Sequence, residues 1–176
     1  RRFSHLMAVA PNASSSIIMG NTSPSVEPYR ANAYRQDTLS GSFLNKNKNL
    51  DKIIKEKTND TDYNKVWSNI IASDGSVQHL DILNDREKDI FKTSMEIDQR
   101  WVVEHASDRQ NYIDQAQSIN LFFRPDCNVK YLHAIHFMAW KLGLKTLYYC
   151  RSEKIGKADK VAKKIEREAI KELSMK

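Results

Sequence analysis

Apolar residues recur along this chain in two rhythms, one suited to strands and one to helices. Leu6, Met7, Ala8, Val9 and Ala10 form an unbroken apolar run that predicts a buried strand. It is stopped by Pro11-Asn12-Ala13-Ser14-Ser15-Ser16, a breaker followed by hydroxyls that opens a short helix. Gly20, Pro24 and Pro28 make the next stretch irregular, and 31–38 predicts a short extended segment leading to a turn near Ser40-Gly41-Ser42. From Leu50 to Ile71 the spacing turns helical, with Leu50, Ile53 and Ile54 first and Tyr63, Val66, Trp67, Ile70 and Ile71 after. Residues 58–61 divide this stretch, and Thr61 is the expected cap of its second helix.

After a turn at Ser73-Asp74-Gly75-Ser76, Asn84 is placed to cap a helix carrying Ile90 and Phe91. Helical spacing resumes over 98–110 with Trp101, Val102 and His105, and alternation over 112–123 predicts a strand. The clearest unit follows. Asn128 caps a helix whose stripe is Leu132, Ile135, Met138, Ala139 and Leu142, and Gly143 ends it. A strand is then predicted over 145–149, and Ala158, Val161, Ala162, Ile165, Ala169 and Leu173 predict a basic amphipathic helix. Strand, helix, strand, helix in succession implies an α/β fold with right-handed crossovers.

Composition narrows the class. The 176 residues are 40% apolar and 28% charged, which fits a folded chain of about one domain. No apolar run is long enough to cross a bilayer, and no signal peptide is visible, so a cytoplasmic protein away from membranes is expected. Two cysteines, Cys127 and Cys150, are too few for a disulfide framework or a zinc site and lack CxxC spacing. Both are read as inert. The net charge of +6 sits late, with nine Lys/Arg against five Asp/Glu over 151–176. Such a tail suits a basic helical module for nucleic acid or a partner protein, but its acids are interspersed and no stacking aromatic accompanies it. Arg1-Arg2-Phe3 lacks an initiator Met, so a fragment is expected.

Two constellations suggest chemistry. Residues 11–16 offer hydroxyls and helix-start N–H groups to an anion such as a diphosphate, with ordinary N-capping as the competing reading. Tyr148-Tyr149 offers two phenols. Packing competes with a redox role there, because neighbouring strand residues point to opposite faces and a stacked pair needs a bend or the end of the strand. His133 and His136 at i, i+3 have no companion carboxylate motif, and Glu104, Asp108 and Asp114 have nothing to fix their mutual distance.

Three strings carry a family resemblance. Residues 6–16, with Gly20-Asn21 and Val26-Glu27-Pro28, resemble the substrate-phosphate loop of class I ribonucleotide reductase large subunits, more in the phage or bacterial style than the animal one. Ala106-Ser107-Asp108-Arg109-Gln110 running into Tyr112-Ile113-Asp114-Gln115-Ala116-Gln117-Ser118-Ile119-Asn120 is similar to a second segment of that family. Residues 138–149, ending in Lys145-Thr146-Leu147-Tyr148-Tyr149, are similar to its C-terminal helix, glycine and strand.

The resemblance implies the C-terminal part of a ten-stranded α/β barrel, an incomplete barrel segment with several helices over 1–151, followed by the basic helical tail of 152–176. It implies reduction of ribonucleoside diphosphates by thiyl-radical chemistry. Pro11, Asn12, Ala13, Ser14 and Ser15 would hold the substrate diphosphate, and Tyr148 and Tyr149 would relay the radical. No cofactor or metal is expected on this segment. A metal-containing small subunit would supply the radical, and thioredoxin or glutaredoxin the reducing equivalents. The implied partners are the rest of the large subunit, a second large subunit in a homodimer, and the small subunit, in the cytoplasm or a host's cytoplasm if phage-encoded. The family's thiyl cysteine, dithiol pair, C-terminal CxxC and regulatory cone do not map onto this chain. A truncated or naturally split subunit, inactive alone, is therefore expected.

Overall fold

A computed structural model of the chain describes residues 2–20, 22–38 and 41–152, so the predicted tail helix lies outside the described residues. In chain order the elements are α1 (Ala13–Ile18), β1 (Ala33–Thr38), β2 (Gly41–Lys46), α2 (Lys48–Lys57), α3 (Asp60–Ala72), α4 (Asp85–Ile90), α5 (Gln99–Gln110), β3 (Leu121–Phe123), α6 (Val129–Lys141) and β4 (Cys150–Ser152). They fall into two compact units, one from the described parts of Arg1–Tyr29 and Ser94–Glu153, the other from those of Arg30–Thr93.

In the unit of Arg30–Thr93, β1 and β2 form an antiparallel hairpin with Ala33 opposite Lys46 and Thr38 opposite Gly41. Asn47 caps α2 by accepting from the N–H groups of Asn49 and Leu50. The divided helical stretch is observed as α2 and α3, but Asn59 and not Thr61 stands at the second N-terminus, since the helix already begins at Asp60. At α4, Asn84 and Glu87 complete a reciprocal capping box. Leu50, Ile54, Val66, Trp67, Ile70, Val77, Leu83 and Phe91 form the core. Each fully buried aliphatic here contributes about 1.5–3 kcal/mol. One polar residue is sunk among them: Asn32 donates from Nδ2 to the carbonyls of Gly75 (3.0 Å) and Phe91 (2.7 Å) and accepts from Asn47 (3.0 Å).

The other unit is built around β3 and β4, a parallel pair joined by α6, with Leu121 opposite Cys150 and Phe123 opposite Ser152. Parallel strands need such a crossover. β3 is buried throughout, and Leu121 and Phe123 pack with Val103 of α5 and Ile135 and Ala139 of α6. Asn128 caps α6, and Gly143, at φ +79°, stands just past its end. α5 buries Gln99, Val103 and Ala106, so the face lies one residue beyond the Trp101–Val102–His105 pattern, and Trp101 is 59% exposed. Gln99 lies in the same core, donating to the carbonyls of Ser94 (2.9 Å) and Ile97 (2.8 Å) and accepting from the Phe122 N–H (3.0 Å).

Three predicted strands are corrected. The run at Leu6–Ala10 is not a buried strand: it makes one parallel bridge, Val9 to Gln117, and Leu6 and Met7 are 71% and 57% exposed. Its N–H and C=O groups are met on one side by residues 114–118, and no second layer covers its side chains among the described residues. The strand predicted over 112–123 shortens to β3, and the one predicted over 145–149 lies later, at β4. The α/β class itself is observed among the described residues, as helices with two unclosed two-stranded sheets.

Candidate functional site

The hydroxyl-rich segment follows Val9 directly. Asn12 sits in the left-handed region at φ 46° and makes no side-chain cap, and α1 begins at Ala13. A helix leaves its first N–H groups without intrahelical partners, and with no side-chain cap these point outward from Ala13, Ser14 and Ser15. Pro11 through Ser15 are exposed, whereas Ser16 is buried and turns its hydroxyl back to the Ala13 carbonyl at 2.8 Å. Among the described residues the Ser14 and Ser15 hydroxyls have no protein partner. Five of the predicted binding residues are thus gathered on one exposed turn, and Ser16 is structural.

The tyrosine pair immediately precedes β4. In a regular parallel ladder, a single residue donates to one partner carbonyl and accepts from the N–H two residues further along. Here two residues divide those bonds between them. The Tyr148 N–H donates to the Ile119 carbonyl (2.8 Å), and the Tyr149 carbonyl accepts from the Leu121 N–H (2.9 Å). The pair therefore occupies one residue's place in the ladder, which is a bulge. An extra residue breaks the alternation of side chains, and the two rings meet with centroids 4.1 Å apart and planes at 53°. Strict alternation would have parted them.

The bulge leaves the Tyr149 N–H outside the ladder, and the Asn120 side chain accepts it at 3.1 Å. Asn120 is held in turn, its own N–H donating to the Glu27 carboxylate at 3.3 Å. Burial pushes the Glu27 carboxyl up, opposed by the Asn120 hydrogen bonds and by the charge of Arg151. Arg151 is two residues beyond Tyr149 and so shares its face; its guanidinium stands 5.0 Å from the Tyr149 ring centroid. Both rings are about half exposed, at 47% and 51%. The hydrogen bond to the Tyr149 side chain, with the neighbouring phenol's charge, raises the Tyr148 phenol, and Arg151 opposes this. Two phenols in ring contact can exchange a proton and an electron together.

Sequence patterns missed Asn120, Glu27 and Arg151 as supports of the pair. Their roles depend on the β3–β4 register, which brings together residues far apart in the chain.

The remaining candidates are not assembled. Asp114 uses its carboxylate on the N–H groups of Leu6 (2.6 Å) and Met7 (2.8 Å). His136 bonds the Leu132 carbonyl and His133 stacks on Phe137. No group of three or more metal-ligating side chains occurs among the described residues. Cys150 is exposed, and burial of its sulfur, with Cys127 adding, pushes its thiol up and lowers its thiolate fraction.

Comparison with known proteins places the chain in a family. Residues 1–150 match the family described as ribonucleotide reductase, barrel domain. The ribonucleoside-diphosphate reductase large subunit of Invertebrate iridescent virus 6 is 63% identical over 164 residues, covering 92% of this chain and 17% of that protein. The large subunit of Danio rerio is 40% identical over 154 residues, covering 86% and 19%. The solved class Id ribonucleotide reductase alpha subunit of Actinobacillus ureae superposes with a TM-score of 0.77 at 42% identity, over 90% of this chain and 28% of that one. The chain thus spans between about a sixth and a little over a quarter of the length of these relatives. It belongs to the ribonucleotide reductase large subunits, and residues 1–150 are a segment of their barrel domain.

Proposed function

We propose that this segment supplies two parts of a ribonucleoside-diphosphate reductase: the turn that holds the substrate's diphosphate and the tyrosine pair that relays an oxidising equivalent. The observation that carries the reading is the bulge, which brings the rings of Tyr148 and Tyr149 to 4.1 Å.

The diphosphate is held by Pro11, Asn12, Ala13, Ser14 and Ser15. Its negative oxygens accept from the first N–H groups of α1 and from the two serine hydroxyls, where the positive end of the helix favours an anion. Each tyrosine in turn gives up an electron and its phenolic proton and regains both. The radical reaches the pair from a metal-containing small subunit and leaves for a thiyl cysteine elsewhere in the large subunit, which acts on the ribose. Thioredoxin or glutaredoxin restores the reducing equivalents, and the large subunits work as a homodimer in the cytoplasm. This segment itself holds no metal or cofactor in the scheme.

The relay is tested by Tyr148→Phe in the complete large subunit assembled with its small subunit. Phenylalanine keeps the ring but has no phenolic proton to give. Turnover is expected to fall to background while equilibrium binding of the diphosphate is retained. Sustained turnover removes the relay from the account.

A further inference from the structure

Arg151 has a part in the arrangement that the relay alone does not require. Its guanidinium stands over the Tyr149 ring at 5.0 Å, and its charge also reaches the Glu27 carboxyl. β4 fixes its placement, since Arg151 is paired in register with Phe122, which is buried, and stands two residues from Tyr149. The two tyrosines are alike in exposure and in contact with each other, and among the described residues Tyr149 alone has a cation on its ring face, although the Arg151 charge also reaches the Tyr148 phenol.

We propose that Arg151 is a positioning residue that makes the tyrosine pair electronically unequal, disfavouring the radical on Tyr149 relative to Tyr148. The physical ground is the ring quadrupole. A cation over the face of a closed-shell phenol is attracted by its electron-rich π system. Removing an electron from that ring weakens the attraction, so the cation stabilises the reduced form of Tyr149 more than its radical. The transfer it biases is balanced within the pair. Tyr148 loses one electron and its phenolic proton, and the Tyr149 radical gains both across the ring contact, with no third reactant. At an exposed site the effect amounts to about two- to fivefold in the radical occupancy of Tyr149. The Asn120 bond to the Tyr149 N–H holds the ring's backbone in place, so that the cation acts on a fixed target.

This inference rests on the relay reading, and the experiment separates the two. In the complete large subunit with its small subunit, Tyr148→Phe stops the pair from passing the radical on. 3,5-Difluorotyrosine at position 149 marks a radical there by its fluorine splitting in the electron paramagnetic resonance spectrum. Three enzymes are compared, with Arg151 intact, Arg151→Lys and Arg151→Gln. The Gln enzyme is expected to hold about two- to fivefold more radical at position 149 than the Arg enzyme, and the Lys enzyme to match Arg, because it keeps the cation. Equal signals in the Arg and Gln enzymes, or a Lys enzyme that behaves like Gln, overturn the role of Arg151 and leave the relay standing. No fluorine-split radical in any of the three takes both down.

Discussion

Two glycines show how differently the same residue can be required. Gly75 lies at φ +81°, and a Cβ there would come within 2.4 Å of the Ala31 Cβ and 2.9 Å of the Asn32 nitrogen. Gly143 has a similar φ of +79°, but a Cβ would meet nothing within 4 Å. Gly75→Ala therefore suffers both the left-handed backbone and a collision with the segment that carries Asn32, a loss of about 3 kcal/mol or more. Gly143→Ala suffers the backbone alone, about 1–2 kcal/mol. Denaturant melts followed by fluorescence of the buried Trp67 check the first, and a Gly75→Ala chain as stable as the parent contradicts the packing described. The turn at Gly75 was legible in the sequence, because Ser-Asp-Gly-Ser is turn chemistry. The close approach was not, since Ala31 lies more than forty residues away in the chain.

Among the elements, α5 and α6 were read correctly in extent, because each starts at a side-chain cap, Asp98 and Asn128. The α5 face was misread by one residue because the periodic aromatic Trp101 is solvent-facing, while Gln99, a polar residue, is buried by satisfying three backbone groups. The strands were harder to read. A bulge at Tyr148-Tyr149 postpones the regular ladder to Cys150, and no periodicity announces an extra residue. Asp98 supports a pH prediction at this scale. The hydrogen bond from Arg100 leads, against some burial, and with the Arg100 N–H and the Tyr131 hydroxyl it holds the Asp98 carboxyl at about 2, below its ordinary 3.8. A folded value below the unfolded one gives stability that is complete above 3.8 and is lost as the pH falls from there through about 2. Hydrogen exchange at the first-turn amides of α5, corrected for intrinsic rate, should accelerate between pH 5 and pH 2 in the parent and not in Asp98→Asn. The same acceleration in both contradicts the assignment.

At the scale of the whole molecule, the barrel segment leaves Ile18, Met19, Val129 and Trp140 more than 70% exposed. Exposed apolar residues of that kind suit contact with further protein, and the chain spans at most a little over a quarter of the length of the relatives compared above. The family and the α/β class were legible because three ordered strings survive in the sequence. The electrostatic setting of the tyrosines was not, because Glu27, Asn120 and Arg151 converge only when β3 and β4 pair. The central claim is that binding and relay occupy separate places within one segment, and it predicts that they fail separately. The measurement is steady-state reduction of a ribonucleoside diphosphate by the complete assembled enzyme, comparing Ser14→Ala with Ser15→Ala against Tyr149→Phe. The double serine variant should raise KM on the order of tenfold or more with kcat largely kept, as expected when charge-assisted hydrogen bonds to the bound substrate are removed. Tyr149→Phe should reduce kcat to background. Turnover retained by Tyr149→Phe, or an unchanged KM in the serine variant, would contradict the account.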